Sequence, residues 1–135
     1  MLAIAQKSDY ALRIAVNLAG IGPGGRLSLE DLAAREGMNQ GYLEQVAALM
    51  KKAGIITGIR GAHGGYVLAK RPEEITLASI IVATEGAAWT RMCTARGADA
   101  VKRGNPWRGV QGKLMETLHG TTVAEVAADM ERHTV

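Results

Sequence analysis

The sequence holds a single cysteine, Cys93. One thiol cannot close a disulfide within the chain, form a CxxC redox pair or build a zinc site by itself, and its plain structural role is that of a small core residue. No apolar run approaches the roughly 20 residues that a membrane-spanning helix needs. The N-terminal MLAIAQKSDY lacks the charged start and apolar centre of a signal peptide, so a cytoplasmic location with no membrane partner is expected. A nucleophile elbow, a GxGxxG fingerprint, a P-loop and an HExxH helix are all missing, and the histidines are scattered at 63, 119 and 133. No enzymatic activity is therefore expected. Internal repeats and low-complexity segments are absent as well.

What is present suits a compact domain, or a small domain with an extension. The chain has 135 residues, of which 47% are apolar, enough for a genuine core and too apolar for general disorder. The net charge of +3 is unevenly spread: residues 1–70 carry eight Lys or Arg against five Asp or Glu, and residues 71–135 carry eight against eight. The cationic excess in the first half is compatible with a polyanionic partner.

The pattern along the chain predicts a first helix beginning near Ser8 as N-cap. Asp9 stands in its first turn, and Ala11, Ile14, Ala15 and Leu18 form an i, i+3, i+4, i+7 stripe. GIGPGG at 20–25 reads as loop. Ser28, with Asp31 three residues on, caps a second short helix whose apolar face is Leu29, Leu32 and Ala33 and which Gly37 closes. Asn39 caps a third helix. There Leu43, Val46, Ala47 and Met50 make a core stripe, Gln40, Glu44 and Gln45 lie away from it, and Lys51 and Lys52 complement the dipole just before Gly54.

Two short helices joined by a tight Gly-containing turn fit a helix-turn-helix. Ile55, Ile56 and Ile59, then Tyr66, Val67 and Leu68, predict a two-stranded ribbon whose tip carries Arg60, His63 and the glycines at 61, 64 and 65. A polar-faced helix followed by such a hairpin is a winged helix. Beyond it, Arg71-Pro72 breaks the strand and Thr76 caps LASIIVATE up to Gly86. Residues 87–105 lose all periodicity and carry Arg91, Arg96, Lys102 and Arg103 against Asp99. Pro106 is expected to open a long helix with Trp107, Val110, Leu114 and Leu118 on one stripe, and Thr122 with Glu125 to cap a last helix.

The expected fold is thus mainly α with a small β-ribbon. Residues 1–86 form the winged helix-turn-helix, 87–105 a basic sensor-type loop, and 106–135 a dimerisation helix plus a C-terminal helix. The Trp107 stripe needs a cover, and the same helix of a second chain is the economical one. A two-fold dimer would present two recognition helices to a pseudo-palindromic duplex.

Several segments together resemble the Rrf-type winged-helix transcriptional regulators, the family that includes IscR, NsrR and CymR. They are KSDYALR (7–13), SLEDLA (28–33), GYLEQ (41–45), KKAGII (51–56), RGAHGGYVLAK (60–70) and PEEITL (72–77), followed by the Trp107 helix. The resemblance covers nearly the whole chain in order, and YLEQ ahead of KAG and RGxxGGY is a specific combination. It implies a homodimeric DNA-binding regulator, usually a repressor, that responds to a redox, metal-cluster or small-molecule signal. By that resemblance Tyr42, Glu44 and Gln45 fall on the DNA-contacting motif and Arg60 on the wing arginine.

The chemistry agrees. Gln pairs with adenine, Glu accepts from a cytosine amino group, and Arg follows a narrow minor groove or clamps a phosphate. Asn39, Gln40, His63 and Gly64 complete the candidate DNA-binding set. Against this stand a core or packing role for Tyr42 and plain solvation for the others.

The departure lies in the sensor. Many relatives in this family hold an iron–sulfur cluster on three loop cysteines, whereas here the loop has Cys93 alone. Asp9 corresponds to a carboxylate that ligates the cluster in some of them. Clusters are held mainly by thiolates, so no cofactor is expected; an iron–sulfur cluster ranks below that, with Cys93 and Asp9 its weak metal candidates. Cys93, flanked by Arg91 and Arg96, is the candidate redox sensor, because nearby cations favour the thiolate. A small effector between the loop, Trp89 and Trp107 is a further reading, set against ordinary core packing of both tryptophans. The alternative function is a winged-helix protein-interaction module with no DNA role.

Overall fold

The computed structural model describes residues 5–23, 25–62, 64–86, 106 and 108–133. Three helices form the centre: α1 (Gln6–Gly20), α2 (Leu29–Glu36) and α3 (Gln40–Lys52). The predicted stripes become the core. Ala11, Ile14, Ala15 and Leu18 of α1 pack with Leu32 of α2 and with Leu43, Val46, Ala47 and Met50 of α3, all buried. Ser28 and Asn39 are the caps expected, their side-chain oxygens accepting from the backbone N–H groups of Asp31 at 3.1 Å and Tyr42 at 2.9 Å. Gly37, at φ 63°, takes the left-handed geometry that turns the chain sharply from α2 into α3.

The end of α3 is a Schellman motif. The Gly54 N–H donates to Lys51 O at 3.0 Å, the Ile55 N–H donates to Met50 O at 2.9 Å, and Gly54 sits at φ 76°. Met50 and Ile55 are both buried, which supplies the apolar contact that accompanies this motif. The chain then enters β1 (Ile56–Ile59), which pairs antiparallel with β2 (Gly65–Leu68) in the register Ile56↔Leu68 to Ile59↔Gly65. A pairing not read from the sequence extends the ribbon: Leu27 exchanges both backbone hydrogen bonds with Tyr66, at 3.2 and 2.8 Å. The residues leading into α2 are thereby tied to the wing.

A short 3-10 turn at Pro72–Glu74 leads to α4 (Leu77–Glu85), capped by Thr76 as expected. Helices α5 (Arg108–Gly120) and α6 (Val123–Arg132) follow, with Thr122 capping α6. Leu118 of α5 is buried against Ala78 of α4, and α6 folds back along α1, placing Val123 in the main core.

Two local expectations are corrected. Ser8 does not cap α1, which begins two residues earlier at Gln6 after Ala5. It is buried on the inner face, 2.8 Å from the Thr84 hydroxyl and donating to Glu85 at 2.6 Å, so its polarity serves an interhelical link. Pro106 lies in a turn, and the helix described after it starts at Arg108. Residues 87–105 and Trp107, and with them Cys93 and Trp89, lie outside the described residues. No described helix is long and apolar enough to cross a membrane.

Candidate nucleic-acid interface

Burying one stripe of α3 dictates the other. With Leu43, Val46, Ala47 and Met50 facing inward, Gln40, Gly41, Glu44, Gln45, Ala48, Lys51 and Lys52 are exposed. The small residues Gly41 and Ala48 keep the helix surface low, which lets its backbone approach a flat or grooved partner. Glu44 and Gln45 stand in the middle of this face and Gln40 at its N-terminal end, where a recognition helix contacts base edges.

Asn39 and Tyr42 are tied into the protein. The Asn39 carboxamide oxygen is spent on the helix cap, leaving its NH2 group as the outward donor. Tyr42 is half-buried, its ring edge-on to Tyr10 with centroids 5.1 Å apart and planes at 83°. That packing fixes the entry of α3 against α1.

Beside α3 lies an open groove of about 410 Å³, lined by Ser28 and Glu30 at the start of α2, Gln40 and Lys51 on α3, and Arg60, Gly64 and Tyr66 of the ribbon. It brings together three of the expected residues, Gln40, Arg60 and Gly64. Glu44, Gln45, Asn39 and Tyr42 do not line it, and His63 lies outside the described residues. Lys51 is the addition. The sequence suggested only a dipole role for it, yet it is eleven residues from Gln40, about three helical turns, and that spacing puts both on one side of the helix.

The wing is shaped by its glycines. A Cβ on Gly64 would stand 2.5 Å from Ile59 O and 2.9 Å from Gly61 O, and Gly61 itself sits at φ 116°. Only glycine permits this tight return, and it leaves the exposed Arg60 at the shoulder of the tip.

Behind the interface, Arg13 holds α1 to α2. Its guanidinium donates to Asp9 at 3.0 Å and to Glu36 at 3.0 Å, and Asn17 donates to Glu36 at 2.9 Å. The Asp9 hydrogen bond, and then that of Glu36, raise the Arg13 pKa above its ordinary value. A raised basic group contributes below its ordinary pKa and loses that contribution only as pH climbs through the raised one, so Arg13 stays charged across neutral pH.

The donor set does not fit an iron–sulfur cluster. The whole sequence contains one thiol, and the Asp9 carboxylate is engaged by Arg13. Among the described residues, no three His, Cys, Asp or Glu side chains gather into a metal site.

Comparison with known proteins identifies the family. The Rrf2 family, described as iron-dependent transcriptional regulators, matches residues 4–129. The chain is similar to the HTH-type transcriptional regulator CymR of Bacillus subtilis, at 33% identity over 93% of this chain and 89% of the relative. It is also similar to the HTH-type transcriptional regulator IscR of Aliivibrio salmonicida, at 27% identity over 95% and 79%. Among solved structures, CymR, the global cysteine regulator of B. subtilis, superposes with a TM-score of 0.80 at 32% identity over 95% of this chain and 98% of that one. IscR of T. potens superposes with a TM-score of 0.80 at 31% identity, over 99% and 92%.

Proposed function

The chain belongs to the Rrf2 family of DNA-binding transcription regulators, and on that premise we propose that it acts as a homodimeric repressor in the cytoplasm. In this reading Gln40, Glu44 and Gln45 enter the major groove of operator DNA, while Asn39 and Tyr42 orient the start of α3 and offer its flank. Arg60, His63 and Gly64 carry the wing to the neighbouring backbone or minor groove, and Lys51 adds a phosphate contact. Residues 1–86 supply the reader, 87–105 the sensor segment, and α5 the surface on which two copies pair.

The observation that carries this reading is the exposed polar face of α3 running into the groove that Arg60 and Gly64 line. A module that binds only protein would have no use for a small-residue, polar helix face beside a cationic glycine-rich wing, and the regulator relatives favour DNA. The signal is proposed to act on Cys93. Arg91 and Arg96 near it in sequence favour the thiolate, whose oxidation would give a sulfenic acid, a mixed disulfide or a bridge between subunits. Identical duplex affinity of Cys93→Ser and the unchanged protein, with and without peroxide, would exclude that switch.

The test of the main reading is selection of duplexes from a random pool by the purified protein, followed by affinity measured against salt. The expected result is a pseudo-palindromic duplex whose log affinity falls steeply and linearly with log salt. Failure to enrich any duplex sequence would sink it.

A further inference from the structure

A second cavity, of about 620 Å³, lies on the side of α3 away from the groove, between the C-terminal turn of α3, one face of α4 from its cap Thr76 to Ala83, and the last turn of α5. Its size falls within the roughly 300–1,000 Å³ of small-molecule sites. The apolar part of its wall is Leu49, Ala53, Ile55, Ala78, Val82 and Ala83. The charged part of the wall is cationic: Lys52 and Lys70 line it, with His119 beside them, and among the described residues no Asp or Glu does. Lys52 and Lys70 are exposed and have no ion-pair partner among the described residues. Thr76 and Ser79 bring the first turn of α4 into the wall, and the positive end of that helix dipole adds to the field.

We propose that this cavity is an effector site for a small organic anion, a carboxylate on a short apolar body. The apolar wall takes the body, and the ammonium groups of Lys52 and Lys70 hold the charge at the mouth. Neither half of the site suffices alone. An inorganic anion leaves the apolar wall wet, and a neutral apolar molecule leaves two ammonium groups unmatched. Because Leu49 and Lys52 belong to α3, an occupant touches the helix that reads DNA, and its preference for one placement of α3 must appear as an equal change in duplex affinity. The effector role rests on the regulator reading above, whereas anion binding itself does not.

The test titrates the full chain by calorimetry with hexanoate and benzoate, with hexanamide, benzamide and inorganic phosphate alongside. Both carboxylates are expected to bind one per chain, and the amides and phosphate about tenfold more weakly or not at all. Lys70→Ala should weaken the carboxylates about tenfold. Ala53→Leu, at an exposed position on the cavity wall, should crowd the apolar part of the site and weaken both carboxylates about tenfold with the thermal midpoint unchanged. The selected duplex should change affinity when hexanoate is added, and with Ala53→Leu should need about tenfold more of it.

No heat with either carboxylate, as when a second copy fills the cavity, overturns the site even if duplex binding is intact. Equal binding of phosphate overturns the stated chemistry. Carboxylate binding that leaves duplex affinity unmoved overturns the effector role.

Discussion

In the proposed reading Asn39 serves stability and recognition with different atoms. Its oxygen closes the start of α3 by accepting from Tyr42 N–H at 2.9 Å, while its NH2 group is left for a partner. Three substitutions separate the two roles. Asn39→Ala removes the cap and is expected to cost about 1 kcal/mol, read as a lower denaturation midpoint. Asn39→Ser keeps the cap and the midpoint. Asn39→Asp also keeps the cap but replaces the donor with a carboxylate, so stability should hold while duplex affinity falls. Equal duplex affinity for Asn39→Asp and the unchanged protein would confine Asn39 to capping. In the proposed reading Arg60 makes only the second kind of contribution. It is exposed on the wing, so Arg60→Ala should leave the melting curve alone, weaken duplex binding and reduce the slope of log affinity against log salt by about one.

At the scale of elements, the wing is held in place from two sides, by β1 and by the Leu27–Tyr66 bridge. Gly64→Ala pushes a methyl group into Ile59 O and must open the tip. Duplex affinity should drop while the midpoint moves little, because the described residues of the tip contribute nothing to the core; affinity retained with an unchanged salt slope would show that the wing does not touch DNA. The helices that carry this site were readable because each has one unbroken apolar stripe and a Ser, Thr or Asn at its start. The α3 face was legible as the complement of Leu43, Val46, Ala47 and Met50. Three features were not. Ser8 has the chemistry of a cap, and only the packing of α4 onto α1 shows that its hydroxyl faces Thr84 and Glu85. Leu27 precedes a helix cap and carries no strand pattern, so its pairing with Tyr66 depends on how the hairpin folds over. Lys51 looked like a dipole partner, and its place beside Arg60 required the ribbon to be set against α3.

For the whole molecule, the question is what covers α5. Leu118 at its C-terminal end is 8% exposed, satisfied within the chain against α4, whereas Val110 near its start is 58% exposed. One helix thus has an end committed to its own fold and an end that offers apolar surface outward. Leu118→Ala should behave as a core truncation, costing about 2–5 kcal/mol whatever the protein concentration. Val110→Glu should leave the fold of a single chain intact and act on pairing: light scattering is expected to report a dimer for the unchanged protein and a monomer for the variant. Since two half-sites held together bind far more tightly than either alone, the monomer should lose at least about a hundredfold in affinity for the full operator while keeping most of its affinity for one half-site. A Val110→Glu protein that stays dimeric would move the pairing surface away from the exposed start of α5. Loss of half-site binding as well would mean that α5 supports the reader directly, through its contact with α4, and not through a second copy.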